Sequence, residues 1–290
     1  MRVLLAELIQ KVGTARTLLQ SGYLRITFPS RTILPPPGNQ PAIVVRLDYD
    51  NVVPFIKSRE PYAIFETLFR ERLGEMTEWC RQLAPHLEIP GVSAEKQDDV
   101  SPYWYNPYFG PGDAKALYAI VQLLKPARIM EIGSGNSTKF FRRAITDGRL
   151  TSTKLVSIDP YPRAEIDRLA DQIIRTSLVE CDLGIFNGMA ANDIVFLDGS
   201  HLSFHGTDVP FFLLRLLPRL PKGVWVHLHD IYLPEEYPER IDELFYSEQY
   251  MLGAFLLGNK DWEVVLPVHF LHHQGLLRDD GVSFWMRSKA

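Results

Sequence analysis

The sequence predicts an α/β fold, doubly wound around a mostly parallel seven-stranded sheet and preceded by an N-terminal extension. Three observations predict it. From residue 112 onward, short apolar runs rich in Val, Ile and Leu alternate with helical periods. One such run, residues 128–132, leads into Gly133-Ser134-Gly135, a tight turn of the kind that joins a strand to a helix. Acidic residues then recur where strands are expected to end, at Asp159, Asp182, Asp198 and Asp230.

Element by element, residues 1–19 carry an amphipathic helical period, and Pro35, Pro36, Pro37 and Gly38 break the chain into an extended linker. Residues 42–51 read as a strand and residues 64–87 as a helix. Residues 1–100 therefore form the extension, open as a lid, a packing element or a dimerisation element that would make a homo-oligomer. In the main domain, residues 101–290, helices are expected at 113–124, 137–145, 164–174, 209–217 and 247–257. Strands are expected at 128–132, 155–158, 177–180, 193–197 and 223–228, with two more at 262–266 and 283–286. Strands this apolar suit a sheet covered on both faces, and such sheets bind ligands beyond their carboxyl ends.

Composition narrows the function. A formal net charge of −4, with Lys and Arg scattered singly, provides no electrostatic footprint for nucleic acid. Cys80 and Cys181 form no CxxC pair, which fits a reducing cytoplasm and argues against a disulfide framework or structural zinc. The N-terminus lacks a convincing signal peptide, and no apolar run reaches the roughly 18 residues a membrane span needs.

The candidate chemistry lies at the predicted strand ends. Glu131, Gly133, Ser134 and Gly135 form the first loop, with Ser137 and Thr138 offering caps and hydrogen bonds. Glycine permits close backbone approach, and the helix N-terminus behind it favours a nucleotide-like ligand. Thr138 stands where a dinucleotide fingerprint has its third glycine, which counts against NAD and an NAD-dependent oxidoreductase. A carboxylate at Asp159 can accept hydrogen bonds from both ribose hydroxyls of an adenosine, and Asp182 can receive the adenine amino group. As a turn former before Pro160, Asp159 also has a purely structural reading. Asp198 and His201 in DIVFLDGSH, with His229 and Asp230 in HLHDIYLP, fall at two neighbouring strand tips. His201 suits a general base; Asp198, His229 and Asp230 alternatively suit a divalent metal. The aromatic run Tyr103, Trp104, Tyr105, Tyr108 and Phe109 is either packing or a lid. The pair His272–His273 reads as a solvated pair.

Taken as a series, EIGSGNST, SIDP, DIVFLDGSH, HLHDIYLPEEYP and SEQYMLGAFL resemble the Rossmann-like S-adenosylmethionine-dependent methyltransferases, and among them the branch called methyltransferase domain 24. The resemblance spans about residues 103–270 and implies S-adenosylmethionine as cofactor. It implies that Gly133 and Gly135 wrap the methionine part with Glu131 behind, that Asp159 binds ribose and that Asp182 lies on the adenine side. In magnesium-binding relatives of this branch the acids at the two strand tips hold the ion; Asp198 and Asp230 match them, but His229 replaces a neighbouring acid. The expected activity is methyl transfer to an oxygen or nitrogen of a small molecule, with His201 or the Asp198/Asp230 pair removing a proton. The alternative outside enzymology is a methyltransferase-like binding protein without turnover.

Overall fold

The apolar runs beyond residue 112 become strands in the computed structural model, which describes residues 59–162 and 164–289 together with 25–28, 31–32 and 44–46. The chain divides into two units, Met1–Ser58 and Arg59–Ala290. In the first, β1 (Arg25–Phe28) pairs antiparallel with β2 (Arg31–Thr32) and parallel with β3 (Val44–Arg46). β3 falls inside the strand expected at 42–51. The predicted N-terminal amphipathic helix and the proline linker lie outside the described residues.

The second unit opens with α1 (Ala63–Glu71) and α2 (Leu73–Leu83), separated by a turn at Arg72 rather than joined as one helix. Phe69 and Met76, on either side of the break, are both fully buried. α2 packs against the sheet, where Trp79 meets Trp225 edge-on at 5.0 Å, and Phe69 lies 5.3 Å from Phe270 and 6.0 Å from Phe284. Residues 63–83, expected in the extension, thus belong to the main unit. Next comes α3 (Pro111–Leu124), begun by a proline that needs no N–H donor there and ended by Lys125 in a left-handed conformation before Pro126.

The seven-stranded sheet follows: β4 (Arg128–Ile132), β5 (Lys154–Ile158), β6 (Gln172–Ile174), β7 (Ile194–Leu197), β8 (Trp225–Leu228), β9 (Trp262–Pro267) and β10 (Phe284–Ser288). Their order across the sheet is β6-β5-β4-β7-β8-β10-β9. All neighbouring pairs are parallel except those of β10, which runs antiparallel to β8 and β9. The chain leaves β4 in one direction for β5 and β6 and in the other for β7 and β8. The crevice beyond β4 and β7 is therefore the topological switch point where ligands bind in such sheets. Between the strands lie α4 (Asn136–Asp147), α5 (Asp208–Phe211), α6 (Glu248–Gly258) and α7 (Val268–His273).

Two expectations fail in one region. Residues 164–174 form no helix and 177–180 no strand. The third strand of this arm is β6, whose adjacent Ile173 and Ile174 extend the ladder on β5. Ile166 and Leu169 anchor an irregular turn before it, and Ser177 receives the N–H of Glu180 on its carbonyl while its hydroxyl donates to the Glu180 carboxylate. Short polar side chains bonded this way compete with regular structure. The helix expected at 209–217 continues from α5 as a widened turn at Phe212–Leu216 and a tighter one at Leu217–Arg219, around Pro210 and Pro218.

Because Phe69 is fully buried between α7 and β10, Phe69→Ala should cost about 3–5 kcal/mol of unfolding free energy by urea titration. Ile64→Ala on the exposed side of the same helix should stay within about 0.5 kcal/mol. Equal effects would mean that α1 is not part of the cooperative core.

Candidate active site

The carboxyl edge of the sheet is knitted by backbone bonds that continue the ladders one residue past the strands. Asp159 N–H donates to Ile174, Gly133 N–H to Ile158, Asp198 N–H to Ile132 and His229 N–H to Leu197, at 2.9–3.1 Å. The residues singled out from sequence are thereby set side by side. Gly133 has φ +79°, and a Cβ there would lie 1.8 Å from the Asp198 carbonyl oxygen, so glycine is needed both for conformation and for space. Ser134 N–H donates to Asp159 Oδ2 at 2.7 Å, and Tyr161 N–H to Asp159 Oδ1 at 2.7 Å. The loop is thus tied to the acid at the end of β5. Gly135 differs from Gly133: its backbone is extended, and a Cβ would meet nothing within 4 Å.

Behind the loop, buried Glu131 accepts the hydroxyls of Ser137 and Thr138, each at 2.7 Å, and Thr138 Oγ1 accepts the Gly135 N–H at 3.1 Å. Burial pushes the Glu131 carboxyl up to about 8 against the pull of those two hydroxyls. Glu131 is a buried brace for the first turn of α4. Asp182 stands apart from the strand tips. It is exposed, and it caps the short turn Leu183–Phe186 by accepting the Gly184 N–H at 2.9 Å.

At the tips of β7 and β8, two imidazoles and four carboxylates converge. His201 Nε2 lies 3.2 Å from Asp198 Oδ1 and 3.5 Å from Asp230 Oδ2, and its Nδ1 lies 2.9 Å from Glu248 Oε2 on α6. His229 Nδ1 lies 3.6 Å from Asp198 and 3.8 Å from Asp230, with Nε2 3.5 Å from Asp113 on α3. Both imidazole side chains are only 4% exposed, against 26% for Asp198 and 23% for Asp230. Burial alone would lower the His201 pKa, but Asp198, Glu248 and Asp230 hold it well above the usual histidine range. For His229 burial is again outweighed, by Asp198, Asp230 and Asp113, and its value rises to about 10. Burial would raise Asp198, yet His229 and His201 hold it well below the usual carboxylate range. His227, stacked on Phe196 at 3.8 Å and bonded to Ser283, is instead pushed down by burial and by His229, and is neutral.

These pairings revise two readings from sequence. His201 has carboxylate oxygens against both ring nitrogens, an arrangement that favours its protonated form and weighs against the general-base reading. The exposed edge of the cluster belongs to Asp198 and Asp230. The expected metal at Asp198, His229 and Asp230 gains no support, because their ligand atoms are not among the described trios that lie within 4.8 Å of one another. Among the described residues, the trios whose ligand atoms lie within 4.8 Å of one another are Glu235–His269–His273 and His272–His273–Asp280.

Sequence reasoning missed Asp113 and Glu248. Asp113 Oδ1 accepts the N–H groups of Val282 and Ser283, each at 2.7 Å, while Oδ2 faces His229. Glu248 opens α6, whose first N–H groups at Ser247 and Glu248 donate to the His201 carbonyl. Only the motif SEQYMLGAFL signalled it. Tyr246 adds a ring 4.4 Å from His201. Of the aromatic run, Phe109 is buried 5.4 Å from the His229 ring and Trp104 packs 5.8 Å from Phe140, while Tyr105 and Tyr108 are exposed.

Residues 130–231, from Met130 in β4 to the residue after Asp230, match the model of a methyltransferase domain family. Over that segment the chain is similar to a methyltransferase domain. Both the glycine loop and the acidic tips of this domain lie inside the matched segment. No curated protein matches the chain. Among solved structures, the chain is similar to the O-methyltransferase TomG from Streptomyces achromogenes, in complex with SAM (16% identity, 79% of this chain and 99% of that one, TM-score 0.41). It is similar also to an O-methyltransferase from Bacillus cereus in complex with SAH (16%, 79% and 97%, 0.39) and to a methyltransferase from Geobacter sulfurreducens (18%, 83% and 93%, 0.37). The similarity to a methyltransferase domain rests on the matched segment, and the fold on the sheet order above. Among the described residues no helix is long and apolar enough to cross a membrane.

The two loop glycines should respond differently to alanine. Gly133→Ala should destabilise the domain by at least about 2 kcal/mol, through left-handed strain and the clash with Asp198. Gly135→Ala should leave the melting temperature unchanged and weaken S-adenosylmethionine binding by calorimetry. Unchanged cofactor affinity would place the ligand elsewhere. Stability should also report the His229 charge. Its folded-state value of about 10 lies above the ordinary 6.5, so its contribution is fully present below pH 6.5 and is lost as pH rises through 10. The wild-type melting temperature should therefore fall more steeply than that of His229→Gln between those values; parallel curves would contradict the assignment.

Proposed function

We propose that this protein transfers a methyl group from S-adenosylmethionine to a hydroxyl oxygen of a small molecule. The observation that carries the reading is the contact between the glycine loop and the acid pair: Gly133 abuts the Asp198 backbone, and Asp198 and Asp230 share His201 Nε2. Glycine loop and acid pair are thus one structure. The residues fit the cofactor: Gly133, Ser134 and Gly135 would hold its methionine part, with open space at Gly135, and Asp159 its ribose.

When bound, the cofactor supplies a methyl group already activated on a sulfonium. What the protein must add is alignment, exclusion of water and a destination for the acceptor proton. Asp230 takes that proton as the oxygen attacks, while Asp198 stays ionised between the imidazoliums of His201 and His229, which offset the carboxylate charge and fix the two acids in place. The surplus of carboxylates over imidazoliums also suits a cationic ligand. Phe109 packs beside the His229 ring and Tyr246 beside the His201 ring. The similarity of residues 130–231 to a methyltransferase domain family and the carboxylates at the strand tips, which can accept a hydroxyl proton, both support the reading.

A screen of hydroxylated small molecules with labelled S-adenosylmethionine should find methylated product. In Asp230→Asn and Asp198→Asn kcat should fall by about 10²–10⁴ while cofactor affinity is kept. Wild-type turnover in the double variant would overturn the base assignment. Cofactor binding with no turnover across the screen would favour a binding protein instead.

A further inference from the structure

A second cluster lies apart from the methyl-transfer residues, on α7 and the loops it touches. His269 and His273 are four residues apart in α7, so both rings project from one face, 4.4 Å between centroids. Glu235, in the loop after β8, sits against both: Oε2 is 3.2 Å from His269 Nε2 and Oε1 is 3.0 Å from His273 Nδ1. The ligand atoms of all three lie within 4.8 Å of one another. On its other nitrogen His269 meets Asp280, with Nδ1 3.1 Å from Oδ1.

We propose that Glu235, His269 and His273 bind a zinc ion. Two imidazoles and one carboxylate are a zinc donor set, and three protein ligands leave a fourth position for water. Asp280 supplies the feature that separates a metal site from a chance ion pair. By accepting the Nδ1 proton, it fixes the tautomer in which His269 presents a bare Nε2 towards the ligand cluster. Its own backbone is rigid: the Asp280 carbonyl packs directly against Gly112, where a Cβ would lie 2.2 Å away, and the following Val282 and Ser283 are pinned to Asp113. Glu235 is likewise held, its N–H on Tyr232 and its carbonyl accepting the Gln249 amide. His269 is buried, so little ordering is left for the ion to impose.

The neighbouring trio His272–His273–Asp280 is the weaker set. His272 Nδ1 is engaged with the Leu277 carbonyl at 3.2 Å, and Asp280 would have to leave His269. Zinc at Glu235 would join the loop that follows Asp230 to α7, bracing that segment. The proposal stands independently of methyl transfer, since none of the three residues belongs to that site.

Titration of the full chain with zinc chloride should show one equivalent bound at micromolar or tighter affinity, with a rise in melting temperature. His273→Ala should abolish both; its side chain is 44% exposed, so the variant folds. Asp280→Asn should weaken binding about 10- to 100-fold, and His272→Ala should change nothing. Cobalt substitution should give visible absorption bands that vanish in His273→Ala. Absence of zinc binding, or an undiminished equivalent in His273→Ala, would refute the site. Loss of binding in His272→Ala would assign the ion to the other trio and refute it equally.

Discussion

Asp198, Asp230, Asp113 and Glu248 come from four different segments of the chain, and they converge on the same few ångströms at the carboxyl edge of the sheet. Two unit charges 4 Å apart interact by about 4 kcal/mol even at an effective dielectric constant of 20. His201 and His229 sit between these acids and compensate their charge, and burial raises the Glu248 carboxyl to about 7. The same residues anchor the chain. The His201 carbonyl receives the first N–H groups of α6, Asp113 fastens the loop before β10, and Asp198 leaves room for the glycine loop only because residue 133 has no side chain. Removing either imidazole would unbalance charge and architecture together.

That arrangement explains two left-handed backbones at non-glycine positions, His201 at φ +59° and Asp230 at φ +54°. Each costs on the order of 1–2 kcal/mol. The surrounding ion pairs and backbone bonds hold both residues in place, and the result is that their side chains turn back over the sheet edge towards each other. Strain of this kind collects where geometry serves function. The polarity of the site follows as well. Buried cations and partly exposed anions present an acidic face to a ligand, the reverse of a site in which a neutral histidine faces the substrate.

Asp113 also connects this edge to α7. Through Val282 and Ser283 it holds the loop that carries Asp280, the residue that orients His269. The loop beyond Asp230 reaches Glu235 within five residues. The two clusters therefore share backbone without sharing ligands, so rigidity at one supports rigidity at the other.

Much of this was legible in the sequence because it is local. Strand β4, the turn at Gly133, the acids one or two residues past β5, β7 and β8, and the helix that begins at Asn136 depend on periodicity and on which residues tolerate which backbone, and both are written in neighbouring positions. Residues 164–180 were misread because their short polar side chains bond to nearby backbone and because β6 is decided by its neighbour β5. Helices α1 and α2 were assigned to an extension because only three-dimensional packing shows Phe69 meeting Phe270 and Phe284. The roles within the site were the least legible. Sequence placed His201 near the acids but could not supply its charge, which depends on Glu248 forty-seven residues later and on burial. It also gave no sign of Asp113, eighty-five residues before Asp198, or of Glu235 facing α7. Local sequence determines which chemistry stands at each strand tip; protonation and partnership are set by groups distant in the chain, so only the tertiary structure decides them.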